Sequence, residues 1–182
     1  MSETTFDVTS RNKLLRLAKR ANYDRETVYD IVDAALICHV AYSIDGQPHV
    51  LPTLHARDGD IVLLHGHGTN RTLHHAGEGH PICIGITHTD GIVLARSIFN
   101  HSINYRSVAL YGTGRTITDP DEKTDALFRF SEKLLPGRWD EVRPLTDQEL
   151  KATSVVAFEI EDAVAKIRAG SPVDDDGDPV GV

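Results

Sequence analysis

From residue 36 to residue 118, apolar and polar positions alternate with a period of two, broken by short turns rich in Asp, Gly and Asn. LICHVAYS (36–43), QPHVLPTLHAR (47–57) and IVLLHGH (61–67) read as three strands, joined by hairpin turns at Asp45-Gly46 and at DGD, 58–60. ICIGITHT (82–89) and IVLARSIF (92–99) read as two more, with a turn at Asp90-Gly91 between them. After the polar NHSIN, YRSVALYGTGRTIT (105–118) reads as a long strand that Gly112 and Gly114 bend. SVVAFEIEDAVAKIRAG (154–170) returns to strand character and closes the sheet.

Helical spacing flanks the strand region. Asp24 can cap a helix whose Val28, Ile31, Val32 and Ala35 share one face. Asp119-Pro120-Asp121-Glu122 supplies a cap, a proline at the first helical position and a glutamate at the third. Ala126, Leu127, Phe130 and Leu134 then line one face until Pro136-Gly137. Thr146 and Glu149 form a second capping box. Short strands with close turns and no intervening long helices predict an antiparallel barrel, mainly β with peripheral helices.

The 182 residues suit one domain. Residues 1–22, with the basic RNKLLRLAKR, read as an N-terminal arm draped over the domain or a partner subunit. Residues 23–170 form the barrel domain, and 171–182, with four aspartates and no basic residue, an acidic tail expected to be disordered. The formal net charge of −8 argues against charge-driven binding of nucleic acid or an anionic membrane. No apolar run approaches the ~20 residues of a membrane span, and MSETTFDVTS lacks a signal-peptide apolar core. A cytoplasmic protein is expected. Cys38 and Cys83 each sit in an apolar segment and read as reduced, buried thiols without zinc spacing.

Five of the ten histidines fall in LLHGHGTNRTLHHAGEGH, residues 63–80. Two readings are open. His65 and His67, two apart on a strand, share a face and form a metal-type pair that Glu78 or His80 could extend. The adjacent His74 and His75 diverge on a helix, however, and no glutamate follows the pair closely. Alternatively, GTNRT ends a strand, caps a helix through Thr69 or Asn70, and presents Arg71 to an anion such as phosphate. Arg106 alternates into an apolar strand opposite in face to Tyr105 and Ser107, reaching either solvent or an anion.

RLAKRANYDRETVYDIVDAA, QPHVLPTLHARDGDIVLLHGH, DGIVLARSIFNHSINYRSVALYGTGRTI, LLPGRW and AVAKIRAGSPVD occur in an order that resembles the FMN-binding split-barrel proteins related to pyridoxamine 5′-phosphate oxidase. The likeness is nearest to their flavin-nucleotide-binding, nitroimidazole-resistance-like branch and spans most of residues 11–172. It implies a six-stranded Greek-key split barrel, a homodimer, and two flavin sites at the subunit interface. It places Val50, Pro52 and Thr53 beside the isoalloxazine ring, and Gly66, Asn70 and Arg71 at the phosphate. Arg106 and Ser107 would form a second arm, His65 would lie near the reacting face, and Trp139 would wall the partner's site. Thr69-Asn70-Arg71 replaces a serine/lysine-type grip, and the C-terminal arginine-leucine-proline pattern of B6 oxidases is missing, so B6 oxidation is not expected.

The resulting expectation is an FMN-binding flavoprotein that passes electrons from a reduced nicotinamide nucleotide to a small-molecule acceptor. His65 would be the proton donor. No G-x-G-x-x-G follows a strand, so the nicotinamide would bind only transiently. Haem or a deazaflavin could replace FMN in such a barrel. The rival readings are a non-catalytic flavin or haem binder and a metal-dependent enzyme using His65 and His67.

Overall fold

The computed structural model of the chain describes residues 4–174 and 177; the acidic tail beyond Asp174, apart from Gly177, lies outside the described residues. The strands are β1 (Ala21–Asn22), β2 (Ile37–Ile44), β3 (Gln47–Asp58), β4 (Ile61–His67), β5 (Ile82–Val93), β6 (Ser102–Thr116) and β7 (Thr153–Arg168). The helices are α1 (Arg25–Ala34), α2 (Arg71–Gly77), α3 (Pro120–Leu134) and α4 (Asp147–Ala152). Neighbours run β1-β7-β4-β3-β2-β5-β6, all antiparallel, and β6 returns to β7. Strands β2 to β7 therefore close the expected six-stranded barrel. The additional strand, β1, is a two-residue pairing of Ala21 and Asn22 with Lys166 and Ala165.

Local chemistry sets the hairpins. Asp45 and Gly46 take φ of 49° and 80°, the backbone a two-residue hairpin turn requires, so Ile44 pairs with Gln47 and Tyr42 with His49. At Asp90-Gly91 the sequence expectation of a turn fails. The strand runs on to Val93, because Ile92 and Val93 find partners in Ile103 and Ser102. Asp90 is taken up in a register shift between Thr89 and Gly91, and the chain reverses at 94–101 instead. The expected strand at 92–99 thus contributes only its first two residues. The β6 bend occurs where Gly112 follows a register shift against β7.

The barrel interior is apolar, from Cys38, Val40 and Tyr42 of β2 to Leu110 of β6 and Phe158 of β7. A second cluster lies outside the barrel wall, where Ala126 and Phe130 of α3 cover Ala56, Leu63, Val155 and Ala157. Leu134, expected on the same face, is exposed at the helix end. The helix starts are those the sequence indicated: Asp24, Asp119 and Thr146 cap α1, α3 and α4, the last in a full capping box. RNKLLRLAKR does not form an α-helix; only Ala18–Arg20 turn as a 3-10 segment. The arm is tied to the barrel by buried Phe6, by Asn12 Nδ2 donating to the Ala163 carbonyl at 3.1 Å, and by Arg11 paired with Asp162.

Between α1, α3 and β3 lies a polar group with no access to water. His55 is fully buried; its Nε2 donates to the Val32 carbonyl at 2.9 Å, and Lys133 Nζ stands 3.2 Å from both atoms. Burial, reinforced by the Lys133 charge, lowers the His55 pKa to about 4 from its ordinary 6.5. Burial likewise pushes the nearby Cys38 thiol up to about 12. A histidine that stays neutral when folded but takes a proton when unfolded stabilises the fold fully above pH 6.5. That stability is lost as pH falls toward 4. Between pH 7 and pH 5 the loss is about 2 kcal/mol. Urea unfolding at those two pH values is expected to show it, and His55→Gln to flatten the dependence; an unchanged slope in the variant would assign it elsewhere.

Candidate functional site

Strand β3 has two different neighbours along its length. Gln47 to Leu54 pair with β2, whereas β4 pairs only with His55 to Asp58. From His65 onward β4 follows β7 alone, with His65, Gly66 and His67 opposite Val155, Ser154 and Thr153. The ladder between β3 and β4 therefore stops at His55–Leu64. Among the described residues no strand pairs with the β4-facing edge of Gln47–Leu54, where Pro48 and Pro52 bring carbonyls but no N–H.

The segment after β4 returns to this open edge. Asn70 Oδ1 accepts the amides of Thr72 and Leu73 at 2.9 and 3.3 Å and so caps α2. Arg71, the first helical residue, donates from Nη2 to His49 Nδ1 at 3.0 Å. Beneath the helix, Tyr42 Oη lies 3.0 Å from Thr72 Oγ1 in a buried contact, which ties α2 to β2. The Gly68 amide bonds the Ala152 carbonyl at 2.8 Å, and an added Cβ would crowd that oxygen at 3.3 Å. α2 has only seven residues and its first amides are already capped, so the capacity to hold an anion rests on the Arg71 guanidinium. Asn70 keeps its amide nitrogen free for a ligand, over Gly66.

The site residues named from sequence separate into groups. Val50 and Pro52 lie with His39 and Ala41 on the outer side of the β2–β3 hairpin, Val50 being 65% exposed. Thr53 pairs with buried Cys38 and faces the barrel instead. His65 lies on the α3 side of β4, its ring 4.2 Å from that of Phe130, with Nδ1 buried and unpartnered. Burial lowers its pKa, so it is neutral at physiological pH. Arg106 donates twice to Asp90, from Nε at 3.0 Å and Nη2 at 2.8 Å, and this bonding holds the Asp90 pKa down. Ser107 Oγ donates to the Lys166 carbonyl at 3.1 Å. Strands β2 and β5 stand between these two residues and β3. Trp139 packs edge-on against Phe128 of its own chain, ring centres 5.7 Å apart.

The histidine pair is not assembled for a metal. His67 Nδ1 meets Thr69 Oγ1 at 2.9 Å while His65 rests on Phe130. Among the described residues no group of three or more His, Cys, Asp or Glu could hold a metal ion. The contact between Arg71 and His49 was not among the sequence expectations. The signal was present: the Asp45-Gly46 turn puts His49 opposite Tyr42, at the start of the open edge.

The family model of pyridoxamine 5′-phosphate oxidase matches residues 24–167. The chain belongs to that family. Two solved structures of close similarity bear on it. The flavocytochrome Anf3 from Azotobacter vinelandii is 38% identical, with 93% of this chain and 79% of that chain covered and a TM-score of 0.87. The FAD and heme binding protein from Mycobacterium smegmatis is 35% identical, with 87% and 78% covered and a TM-score of 0.83. A candidate 5-nitroimidazole antibiotic resistance protein from Bacteroides thetaiotaomicron is 19% identical over 81% of this chain and 86% of that one, with a TM-score of 0.66, which shows the shared fold. Comparison with curated proteins finds no match. As a member of the pyridoxamine 5′-phosphate oxidase family the chain has its split barrel, and the split is the interrupted β3–β4 ladder. Among the described residues no helix is long and apolar enough to cross a membrane.

Asn70 positions Arg71 by capping α2, so the two should be separable. Asn70→Ala is expected to destabilise the fold by about 1 kcal/mol in urea unfolding, and Asn70→Asp, which keeps the acceptor, by only a few tenths. Equal losses in both variants would remove the cap from the account of the site.

Proposed function

We propose that this chain is a flavin- and haem-carrying redox protein, with the flavin held in the split between β3 and β4. The observation that carries the reading is the open backbone edge of Gln47–Leu54 with the Arg71 guanidinium at its start. An edge of unpaired N–H and C=O groups suits the hydrogen-bonding rim of an isoalloxazine, and a guanidinium suits its phosphate. FMN meets both requirements. Haem is added because two relatives above 30% identity are named as a flavocytochrome and as an FAD and heme binding protein.

When bound, the flavin would supply two-electron chemistry and the haem one-electron chemistry. The protein's own part is positional and electrostatic. Arg71 neutralises phosphate charge, and Asn70 fixes the backbone from which Arg71 projects. Val50 and Pro52 offer an apolar wall, and alternate β3 backbone groups orient the ring rim. His65, kept neutral by burial, carries one ring proton, which it would give to the reduced acceptor. A reduced nicotinamide nucleotide is the proposed electron donor and a small molecule the acceptor.

A second copy of the chain completes the site in this reading. The outer barrel face leaves Leu36 52%, Ile37 50%, Val50 65%, Ile92 76% and Ile103 44% exposed, an apolar surface that association would cover. A twofold pairing through it would bring two flavin sites to the interface, where Trp139 of one copy can wall the other's site.

The test is the absorption spectrum of the purified chain, before and after addition of FMN and hemin. Flavin bands and a Soret band are expected together. Arg71→Ala should weaken flavin binding by about tenfold to a hundredfold, as loss of a charged hydrogen bond does, and Arg106→Ala, whose side chain is held by Asp90, by less. A protein that binds no flavin overturns the reading. His65→Ala should keep the flavin and slow turnover with a nicotinamide donor; unchanged turnover would remove its proton role. Val50→Asp should yield a monomer in sedimentation with weakened flavin binding, and a monomeric wild type would refute the interface.

A further inference from the structure

Arg71 differs from most other arginines of the chain in its partner. Arg11, Arg57, Arg106, Arg115 and Arg143 each close on a carboxylate. Among the described residues no carboxylate pairs with Arg71; its guanidinium donates from Nη2 to the ring nitrogen Nδ1 of His49 at 3.0 Å. This bond leaves the positive charge uncompensated, and it uses the lone pair of a neutral imidazole. Two nitrogens thus meet at the start of the open edge, one carried by a cation and the other able to become a donor by taking a proton.

His49 is held for this contact. Its ring stacks on Tyr42 with centres 5.1 Å apart and planes at 21°, and Tyr42 Oη lies 3.0 Å from Thr72 Oγ1, one residue beyond Arg71. Strands β2 and β3 and helix α2 together set the Nδ1 edge of one side chain against the Nη2 of the other. The groups around His49 are Arg71 and His75 of α2 and Tyr42 of β2, with His80 and Glu78 behind His75. Burial, with His80 next, holds the His75 pKa down, so the histidine across Tyr42 adds no charge near neutral pH.

We propose that His49 is the second phosphate-binding group of the flavin site. The phosphate replaces the Arg71–His49 hydrogen bond with two of its own, accepting from Arg71 Nη2 and from His49 Nδ1. His49 takes up one proton from water to become a donor, and no other bond is made or broken. A dianion between the two side chains supplies the charge that favours the protonated ring. The coupling is reciprocal: protons strengthen phosphate binding as much as phosphate strengthens proton binding. Side chains make this grip, since Asn70 already caps the first amides of α2. The inference rests on the assignment of the flavin phosphate to Arg71 and adds the residue that shares its charge.

The experiment titrates cofactor-free protein with FMN and, separately, with riboflavin, which has the same ring and no phosphate. The range is roughly pH 7–9, where FMN stays a dianion because the second pKa of a phosphate monoester is about 6. Wild type is expected to prefer FMN, and the preference to fall as pH rises by up to about tenfold per unit, as linked uptake of one proton requires. Calorimetry in buffers of different ionisation enthalpy should show proton uptake with FMN and none with riboflavin. His49→Phe keeps a ring for Tyr42 and removes Nδ1. It should weaken FMN binding by about tenfold near pH 7, the scale of one hydrogen bond to a charged group, and flatten the pH dependence. Its riboflavin affinity should match wild type, which also shows that the variant is folded. A wild-type preference that does not change with pH, or a slope that survives in His49→Phe, would overturn the proposal. Failure of the underlying phosphate assignment reads differently: Arg71→Ala would then leave FMN affinity unchanged.

Discussion

Everything specific to this barrel follows from the point at which β4 stops pairing with β3. Up to His55–Leu64 the two strands form an ordinary ladder; beyond it β4 goes with β7, and β3 stays with β2. Continued register would have set Asn70 opposite His49. Instead the chain makes a tight passage at Gly68 and starts a helix, and the first side chain of that helix reaches across to His49. The separation leaves backbone polar groups open along one strand, an unstable feature on an exposed edge unless something binds there. A buried contact from Tyr42 to Thr72 keeps α2 from sliding into the opening or away from it.

The same strand sorts the histidines to opposite sides. Alternation along β4 sends Leu64 into the barrel and Leu63 and His65 outward beneath α3, while α2 stands over the barrel end. A one-residue slip in β4 would exchange these faces, placing an imidazole in the barrel and a leucine under Phe130. The seven paired positions with β7 hold the strand against such a slip. The β6–β7 closure is held equally firmly. A side chain at Gly114 would lie 2.8 Å from the Ala76 carbonyl of α2, so only glycine lets the helix, β6 and β7 meet there.

Elements set by local chemistry were legible from sequence. The caps at Asp24, Asn70, Asp119 and Thr146 need only their own and neighbouring residues, and each forms as its spacing indicates. Asn70 and Arg71 could be named for the same reason. Elements set by distant partners were not legible. Asp90-Gly91 has the composition of a turn, yet strand pairing with residues far along the chain overrides it, and Arg106 closes on Asp90 there. Leu134 has helical spacing but lies past the surface that α3 covers. His49 and Tyr42 could have been joined from the hairpin register. The continuation to His75 and His80 could not, because it depends on how α2 sits across two strand ends.

The histidine count invites a metal site, and the hydrogen bonds show why the chain builds something else. His55, His74, His88 and His101 each place Nε2 within bonding distance of a backbone carbonyl, from Val32, Gly68, Ile31 and Ala95. Each ring nitrogen set on a carbonyl in this way donates to it, so its lone pair is not offered to a metal. His49 accepts a hydrogen bond from Arg71, and His75 and His80 present faces to one another. Ligation needs several lone pairs converging on one point, whereas stacked rings direct theirs outward in parallel planes. The histidines of this chain therefore act as joints and flat surfaces.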